Sequence, residues 1–238
     1  MPKRTCLSLI KACLLLAVAV TTGGIQVRAQ GTVVPLRDPQ HIFEKYPCNY
    51  KQLKQLHIVM QKRDYSCGAA ALATVLRYYW GDKATEDQIL LTIRRILTPE
   101  EFQDRIKNGL AISDLRRAAV DMGYLASVGT LSFGEMTKSK VPLIVGISSE
   151  GYDHFVVYRG TDCEWVYFAD PIRGNIRMKI GEFVSQWQKH AALVVAKPDQ
   201  EPKDSSLLSV KSYEVRLGEL NDQLIRTQPS RSFSRPVN

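Results

Sequence analysis

Gln61-Lys62-Arg63-Asp64-Tyr65-Ser66-Cys67-Gly68-Ala69-Ala70-Ala71-Leu72 is the stretch that decides how this chain is read. Polar residues run up to Cys67. The sequence then turns apolar around most of a helical circumference, at Ala69, Ala70, Ala71, Leu72, Val75, Leu76 and Tyr79. This pattern predicts a buried helix from Cys67 to Trp80, stopped at Gly81, a residue that closes helices because positive φ costs it little. Cys67 therefore heads a helix. The partial positive charge and free amide donors of a helix N-terminus favour a thiolate, the nucleophilic form of the side chain. Gly68 next to it permits close approach of a substrate backbone. By position alone a free thiol is more often a buried structural hydrophobe, so the reading depends on what the rest of the chain supplies.

Upstream, Leu56-His57-Ile58-Val59-Met60 reads as a short strand. Downstream, Thr85-Glu86-Asp87-Gln88 is a capping-box pattern opening a helix to about Arg95. Thr98-Pro99-Glu100-Glu101 opens another, with Pro at its favoured first position. Ser113-Asp114 starts a third that ends near Gly123. The second half changes period. Val141–Ile147, His154–Tyr158, Trp165–Phe168, Ile176–Ile180 and Ala191–Ala196 read as strands separated by turn material, and Glu182–Gln188 as a helical turn carrying Trp187 inward. Helices followed by adjacent strands give an α+β fold, a helical N-terminal half packed on an antiparallel sheet. The divisions are a signal peptide (1–29), an extended lead-in (30–55), a folded domain (56–197) and a polar tail (198–238). In that tail 198–206 reads as a linker and 213–227 fits an amphipathic helix.

Partners for Cys67 come from the strand half. His154 opens a strand-like run after a Gly-containing turn, where it is anchored yet able to take and return a proton. Asp170 ends the next strand, before Pro171, in a place where it can fix the imidazole tautomer. Gln61, six residues before Cys67, offers a side-chain amide to an oxyanion hole, with the Cys67 N–H as second donor. Taken singly, Asp170-Pro171 is a turn pair and Gln61 a solvated loop residue. Asp153 is a rival orienter, but neighbours on a strand point to opposite faces. His41, His57 and His190 lie in no comparable setting. The ordered set Gln61, Cys67, His154, Asp170 is far more specific than any member.

Residues 1–29 read as a secretory signal: Lys3 and Arg4, an apolar stretch centred on Leu14–Val20, and Val27-Arg28-Ala29 at the cut. The expected location is the periplasm. The formal charge is +8, but the signal holds Lys3, Arg4, Lys11 and Arg28 and no acid, so the mature chain carries +4. No basic run interleaved with aromatics accompanies it, which excludes a nucleic-acid reading. The mature chain keeps Cys48, Cys67 and Cys163, an odd number that leaves at least one thiol free. Cys48 and Cys163 are able to pair, which leaves Cys67 unpaired. No C-x-x-C or H-E-x-x-H spacing is present, and the chemistry above needs no metal or other cofactor.

These residues resemble the bacteriocin-processing cysteine peptidases, papain-like domains that cut leader peptides after a double glycine. The resemblance rests on Gln61–Leu72; on Gly109, Ile112, Leu115 and Gly123-Tyr124; on Val141-Pro142-Leu143-Ile144; and on Asp153–Val157 and Phe168–Pro171. It covers roughly Leu56–Ala196 and implies a papain-like fold with Cys67 as nucleophile, His154 as base and acid, Asp170 as orienter and Gln61 as oxyanion donor. The usual member continues into a transmembrane bundle and an ATPase. This sequence has no long apolar run after the domain and no G-x-x-x-x-G-K-[ST] loop for ATP. With an export signal it resembles the peptidases of functional-amyloid fibre systems. The implied partners are a secreted protein or peptide substrate and outer-membrane secretion or fibre-assembly components.

Two other readings stand beside this one. The first is a catalytically silent docking module on the same fold, against which the presence of all four residues counts. The second is a cell-wall peptidase of the NlpC type, which favours Cys followed by Ser-Gly rather than Gly-Ala-Ala.

Overall fold

A computed structural model describes residues 34–37, 42–45, 49–149, 151–212 and 214–215. They belong to two units divided after position 48. In the first, β1 (Val34–Arg37) and β2 (Ile42–Lys45) form an antiparallel hairpin with Val34 opposite Lys45. The second unit opens with a short helix, α1 (Tyr50–Lys54), capped reciprocally by Asn49 and Gln52. The stretch expected as an extended lead-in thus holds a hairpin and a helix. The predicted signal, residues 1–29, lies outside the described residues, as does Cys48.

The strand expected at Leu56–Met60 is not formed. Its backbone finds isolated partners instead of a ladder. The Val59 N–H donates to Thr74 Oγ1 at 3.0 Å, and just beyond it the Gln61 N–H donates to the Pro171 carbonyl at 2.9 Å. The helix headed by Cys67 does form, as α2 (Cys67–Val75), continued by a wider π turn over Leu76–Trp80 and closed at Gly81 with φ 89°. Every residue of α2 is buried, so it needs no polar face. Its small side chains let the segments carrying Leu115 and Phe155 pack close. A Cβ added at Gly68 would lie 2.9 Å from Leu115 Cδ1 and 3.1 Å from Phe155 Cδ2.

α3 (Glu86–Ile96) and α4 (Pro99–Asn108) start at the predicted capping boxes, Thr85 with Gln88 and Thr98 with Glu101. α5 (Ile112–Asp121) starts one residue before the predicted position, because the Asp114 carboxylate caps the Ala111 N–H at 3.0 Å from inside the helix. The chain then forms β3 (Leu125–Thr130), a strand not expected from the sequence; its side chains are mostly exposed and show no alternation. A single turn, α6 (Phe133–Met136), leads to β4 (Leu143–Ser149), β5 (Tyr152–Thr161), β6 (Trp165–Asp170), β7 (Gly174–Lys179), α7 (Ile180–Gln186) and β8 (Trp187–Ala196).

The six strands form one antiparallel sheet in the order β3-β8-β4-β5-β6-β7. The helices α2, α3 and α5 cover one face, burying Leu72, Ile89, Leu115, Ile144, Val157 and Leu193 together. Phe183 and Trp187 cover the other, against Val145, Val156 and Phe168. The α+β arrangement of a helical half on an antiparallel sheet is therefore the fold.

The segment expected as a polar linker, 198–206, is fastened to the domain. Lys203 Nζ donates to the Tyr79 carbonyl at 2.7 Å, and beyond it Leu208 is buried in the helical core. Arg159 on β5, its side chain buried, anchors the chain from Leu208 to Glu214. It donates to the Leu208 carbonyl at 2.8 Å and grips the Glu214 carboxylate at 2.8 and 2.9 Å. Of the predicted helix 213–227 only residues 214 and 215 are described. Cys163 is an exposed free thiol.

Candidate active site

Cys67 comes to the site at the first turn of α2, where the leading N–H groups of a helix have no intrahelical acceptor. His154 comes on β5, opposite Ile147 of β4, and Asp170 ends β6. His154 and Asp170 are buried, and they meet: Nε2 of the imidazole lies 2.9 Å from Oδ1 of the carboxylate. Nδ1, the other ring nitrogen, is buried without a hydrogen-bond partner among the described residues. The cleft beside it holds the Cys67 side chain.

Asp170 does two jobs with one oxygen. Its Oδ1 also accepts the N–H groups of Ile172 at 2.7 Å and Arg173 at 2.9 Å. The Asp-Pro turn and the contact to the histidine are therefore the same structure. The turn closes at Gly174, with φ 85°, where a Cβ would collide with the Lys54 carbonyl oxygen. Asp153, the rival carboxylate, is exposed on the neighbouring strand position.

The electrostatics follow from this geometry. Burial pushes the His154 pKa down and is the largest single effect. The hydrogen bond and charge of Asp170, together with the neighbouring Cys67 side chain, outweigh it and raise the pKa to about 9. For Asp170, burial works upward, but the His154 hydrogen bond and charge and the two turn N–H groups hold the carboxyl below its ordinary value.

Gln61 is placed by its backbone. Its N–H bond to Pro171 ties the loop before Cys67 to the Asp170 turn, while its side-chain Oε1 is buried without a partner among the described residues. Of the other described histidines, His57 contacts the Tyr78 ring and His190 stacks on Trp187; His41 lies outside the described residues.

Two residues at the site were not singled out from sequence. Glu86, read only as part of a cap, is buried at the start of α3. There its Oε1 accepts the Lys62 N–H at 3.0 Å and the Ser66 hydroxyl. Together with Asp87, which pairs with Lys62 and Arg63, it clips the loop before Cys67 to α3. Tyr152 stacks against the His154 ring and donates to the Asp64 carbonyl at 3.2 Å, bridging the same loop to β5. Its position two residues before His154, on the same side of a strand, was the legible signal.

Cys67 is almost covered, yet it borders two hollows. One, of about 270 Å³, runs past His154 and Phe155 to Gln188. The other, of about 350 Å³, runs past Tyr65 and Tyr152. Asn108 and Gly109 border both, so a chain crossing Cys67 is able to enter one and leave by the other.

Comparison with known proteins places this geometry in context. The model of the peptidase C39 family matches residues 55–200. A probable functional amyloid protease FapD of Pseudomonas fluorescens is 34% identical over 148 residues, 61% of this chain and 63% of that protein. Its counterpart in Pseudomonas aeruginosa is 33% identical over 144 residues, 58% of this chain and 62% of that protein. The chain thus spans less than two thirds of the length of these curated relatives. Among solved structures, the peptidase domain of Streptococcus ComA, a bi-functional ABC transporter, aligns with a TM-score of 0.49 at 20% identity. That alignment covers 59% of this chain and 97% of that domain.

Proposed function

The chain belongs to the peptidase C39 family, and from that premise we propose that it is an exported cysteine endopeptidase acting on a secreted protein or leader peptide through Cys67, His154 and Asp170. The observation that carries the reading is the buried His154–Asp170 contact at 2.9 Å, whose free ring nitrogen faces the cleft of a cysteine at a helix start.

The chemistry then runs as acyl transfer. The Cys67 sulfur attacks the scissile carbonyl carbon, and its proton resides on His154 Nδ1. Asp170 holds Nε2–H and so fixes the tautomer that presents Nδ1 to the sulfur, while its charge supports the imidazolium. The carbonyl oxygen becomes an oxyanion, stabilised by the Cys67 N–H and the Gln61 side-chain amide. As the intermediate collapses, the C–N bond breaks and the imidazolium gives its proton to the leaving amine. A thioester to Cys67 remains. Water, deprotonated by His154, attacks that thioester and releases the carboxylate product and the thiol.

Similarity to two proteins named as probable functional amyloid proteases supports a functional-amyloid component as the substrate; the fibre-assembly or outer-membrane secretion partners and the periplasmic site of action are part of this proposal and rest on the export signal expected at residues 1–29. The test is to incubate the purified mature protein with the secreted proteins of its own host and sequence new N-termini by mass spectrometry. Cleavages that vanish with both Cys67→Ala and His154→Ala support the reading. Cleavages that survive either substitution, or none with the native protein, overturn it.

A further inference from the structure

β8 starts at the cleft and does not run straight. Ile147 of β4 faces Trp187 and Val145 faces Ala192, so Gly146 alone stands opposite the four residues Gln188–Ala191. Within this bulge Lys189 and His190 take φ values of 49° and 51°, the left-handed region, although neither is glycine. Such a residue is strained and persists only where its surroundings over-determine it. Here they do. The His190 ring stacks on Trp187 at 5.0 Å and 13°, Trp187 Nε1 donates to the Ala191 carbonyl at 2.9 Å, and the His190 carbonyl accepts the Leu131 N–H at 2.9 Å. Bulges beside active sites serve to re-aim a side chain.

The side chain aimed here is Gln188, which lines the same hollow as Cys67 and His154. Gly146 makes the space for it, since a Cβ there would stand 2.6 Å from Gln188 Oε1. The Gln188 amide has no hydrogen-bond partner among the described residues. A carboxamide offers two donor hydrogens and an acceptor oxygen on one plane. Placed along a cleft wall, it matches the N–H and C=O of a peptide main chain.

We infer that Gln188 is a substrate-binding residue whose amide hydrogen-bonds the main chain of an extended peptide lying between Cys67 and the β8 bulge. The inference rests on the cysteine-peptidase reading and adds how the substrate is held: through backbone atoms, by a glutamine that a strained bulge presents.

The test compares two reagents on the full mature protein. One is a peptide α-ketoamide of Gly and Ala residues that extends two residues to each side of its electrophilic carbonyl. The other is iodoacetamide, which is too small to need the cleft wall. Loss of one hydrogen bond in Gln188→Ala is expected to weaken α-ketoamide inhibition roughly 3- to 10-fold relative to the iodoacetamide rate. Gly146→Ala, which drives the Gln188 side chain aside, is expected to do the same. The double variant should be no weaker than Gln188→Ala, because both changes remove one contact. An unchanged ratio in Gln188→Ala, or additive losses in the double variant, overturns the inference. A separate arm tests the underlying reading: if His154→Ala is alkylated by iodoacetamide as fast as the native protein, the peptidase reading itself fails.

Discussion

Asp170→Asn removes a negative charge while keeping the shape of the site. An asparagine Oδ1 is able to keep the three interactions now made by the Asp170 oxygen, with the Ile172 and Arg173 N–H groups at 2.7 and 2.9 Å and with His154 at 2.9 Å. The pKa of His154 stands at about 9 only because Asp170 and Cys67 outweigh burial. Without the carboxylate charge fewer effects oppose burial, and the midpoint is expected to fall from about 9 toward the ordinary 6.5. At pH 8 the protonated fraction is about 0.9 in the native protein and falls in the variant, by up to roughly 30-fold where the midpoint reaches 6.5.

The same gap, from 6.5 to about 9, is on the order of 3 kcal/mol of stabilisation by linkage. The folded pKa of His154 lies above its unfolded value. Its contribution is therefore complete below pH 6.5 and is lost as pH rises through about 9. Asp170 is depressed, so its contribution is present above its ordinary 3.8 and lost as pH falls through its folded value. The native protein should accordingly exceed Asp170→Asn in stability most between about pH 4 and 6.5, with the difference shrinking toward pH 9. The new amide NH₂, set near Arg173 in place of a buried oxygen, adds a pH-independent penalty of about 1–3 kcal/mol. The pH-dependent part is thus the readout.

The assay is NMR titration of the imidazole Cε1–H signals, with His154 assigned by His154→Gln, alongside urea unfolding at pH 6 and pH 9. A native midpoint at or below 6.5, or the same midpoint in Asp170→Asn, would refute the claim that the carboxylate charge governs this histidine.

Gly68→Ala should lower stability by about 1–2 kcal/mol in urea unfolding. Overpacking against Leu115 and Phe155, at 2.9 and 3.1 Å, outweighs the helix-propensity gain. Glu86→Gln keeps an acceptor for Lys62 and Ser66 but removes the buried charge; steady-state kinetics should show kcat reduced with KM little changed, since the loop it clips carries Gln61 and leads into Cys67. Arg159→Ala strips a buried partner from Glu214 and from the Leu208 carbonyl, and thermal unfolding should register a loss of about 3–5 kcal/mol. Limited trypsin digestion should then cut at Lys211 before it cuts the domain.

The candidate cysteine at a helix start, the starts of α2, α3 and α4 and the stop at Gly81 were legible in the sequence because their signals are local. An apolar run after a polar one, a Thr paired with Gln or Glu three residues on, and a glycine stop depend on neighbours a few residues apart. Cys67, His154 and Asp170 were legible for the same reason, since each sits at a recognisable place on its own element; Gln61 lies in a loop and had only its spacing from Cys67. What failed was non-local. Leu56–Met60 has a strand's composition, but a strand needs a ladder partner, and here the backbone donates to Thr74 and, at Gln61, to Pro171 instead. β3 lacks alternation because it is an edge strand with mostly exposed side chains, defined only by its pairing with β8. The burial of Glu86, the Arg159 clamp on the tail and the bulge that aims Gln188 arise from atoms 20, 55 and 42 positions apart in pairs such as Ser66–Glu86, Arg159–Glu214 and Gly146–Gln188. Sequence by itself determined which side chains the chain offers and which local elements carry them, because side-chain type and local propensity are properties of short stretches. The tertiary structure alone decided that Asp170 reaches His154 at 2.9 Å and what wall the cleft presents, because strand register and packing set distances that no short stretch encodes.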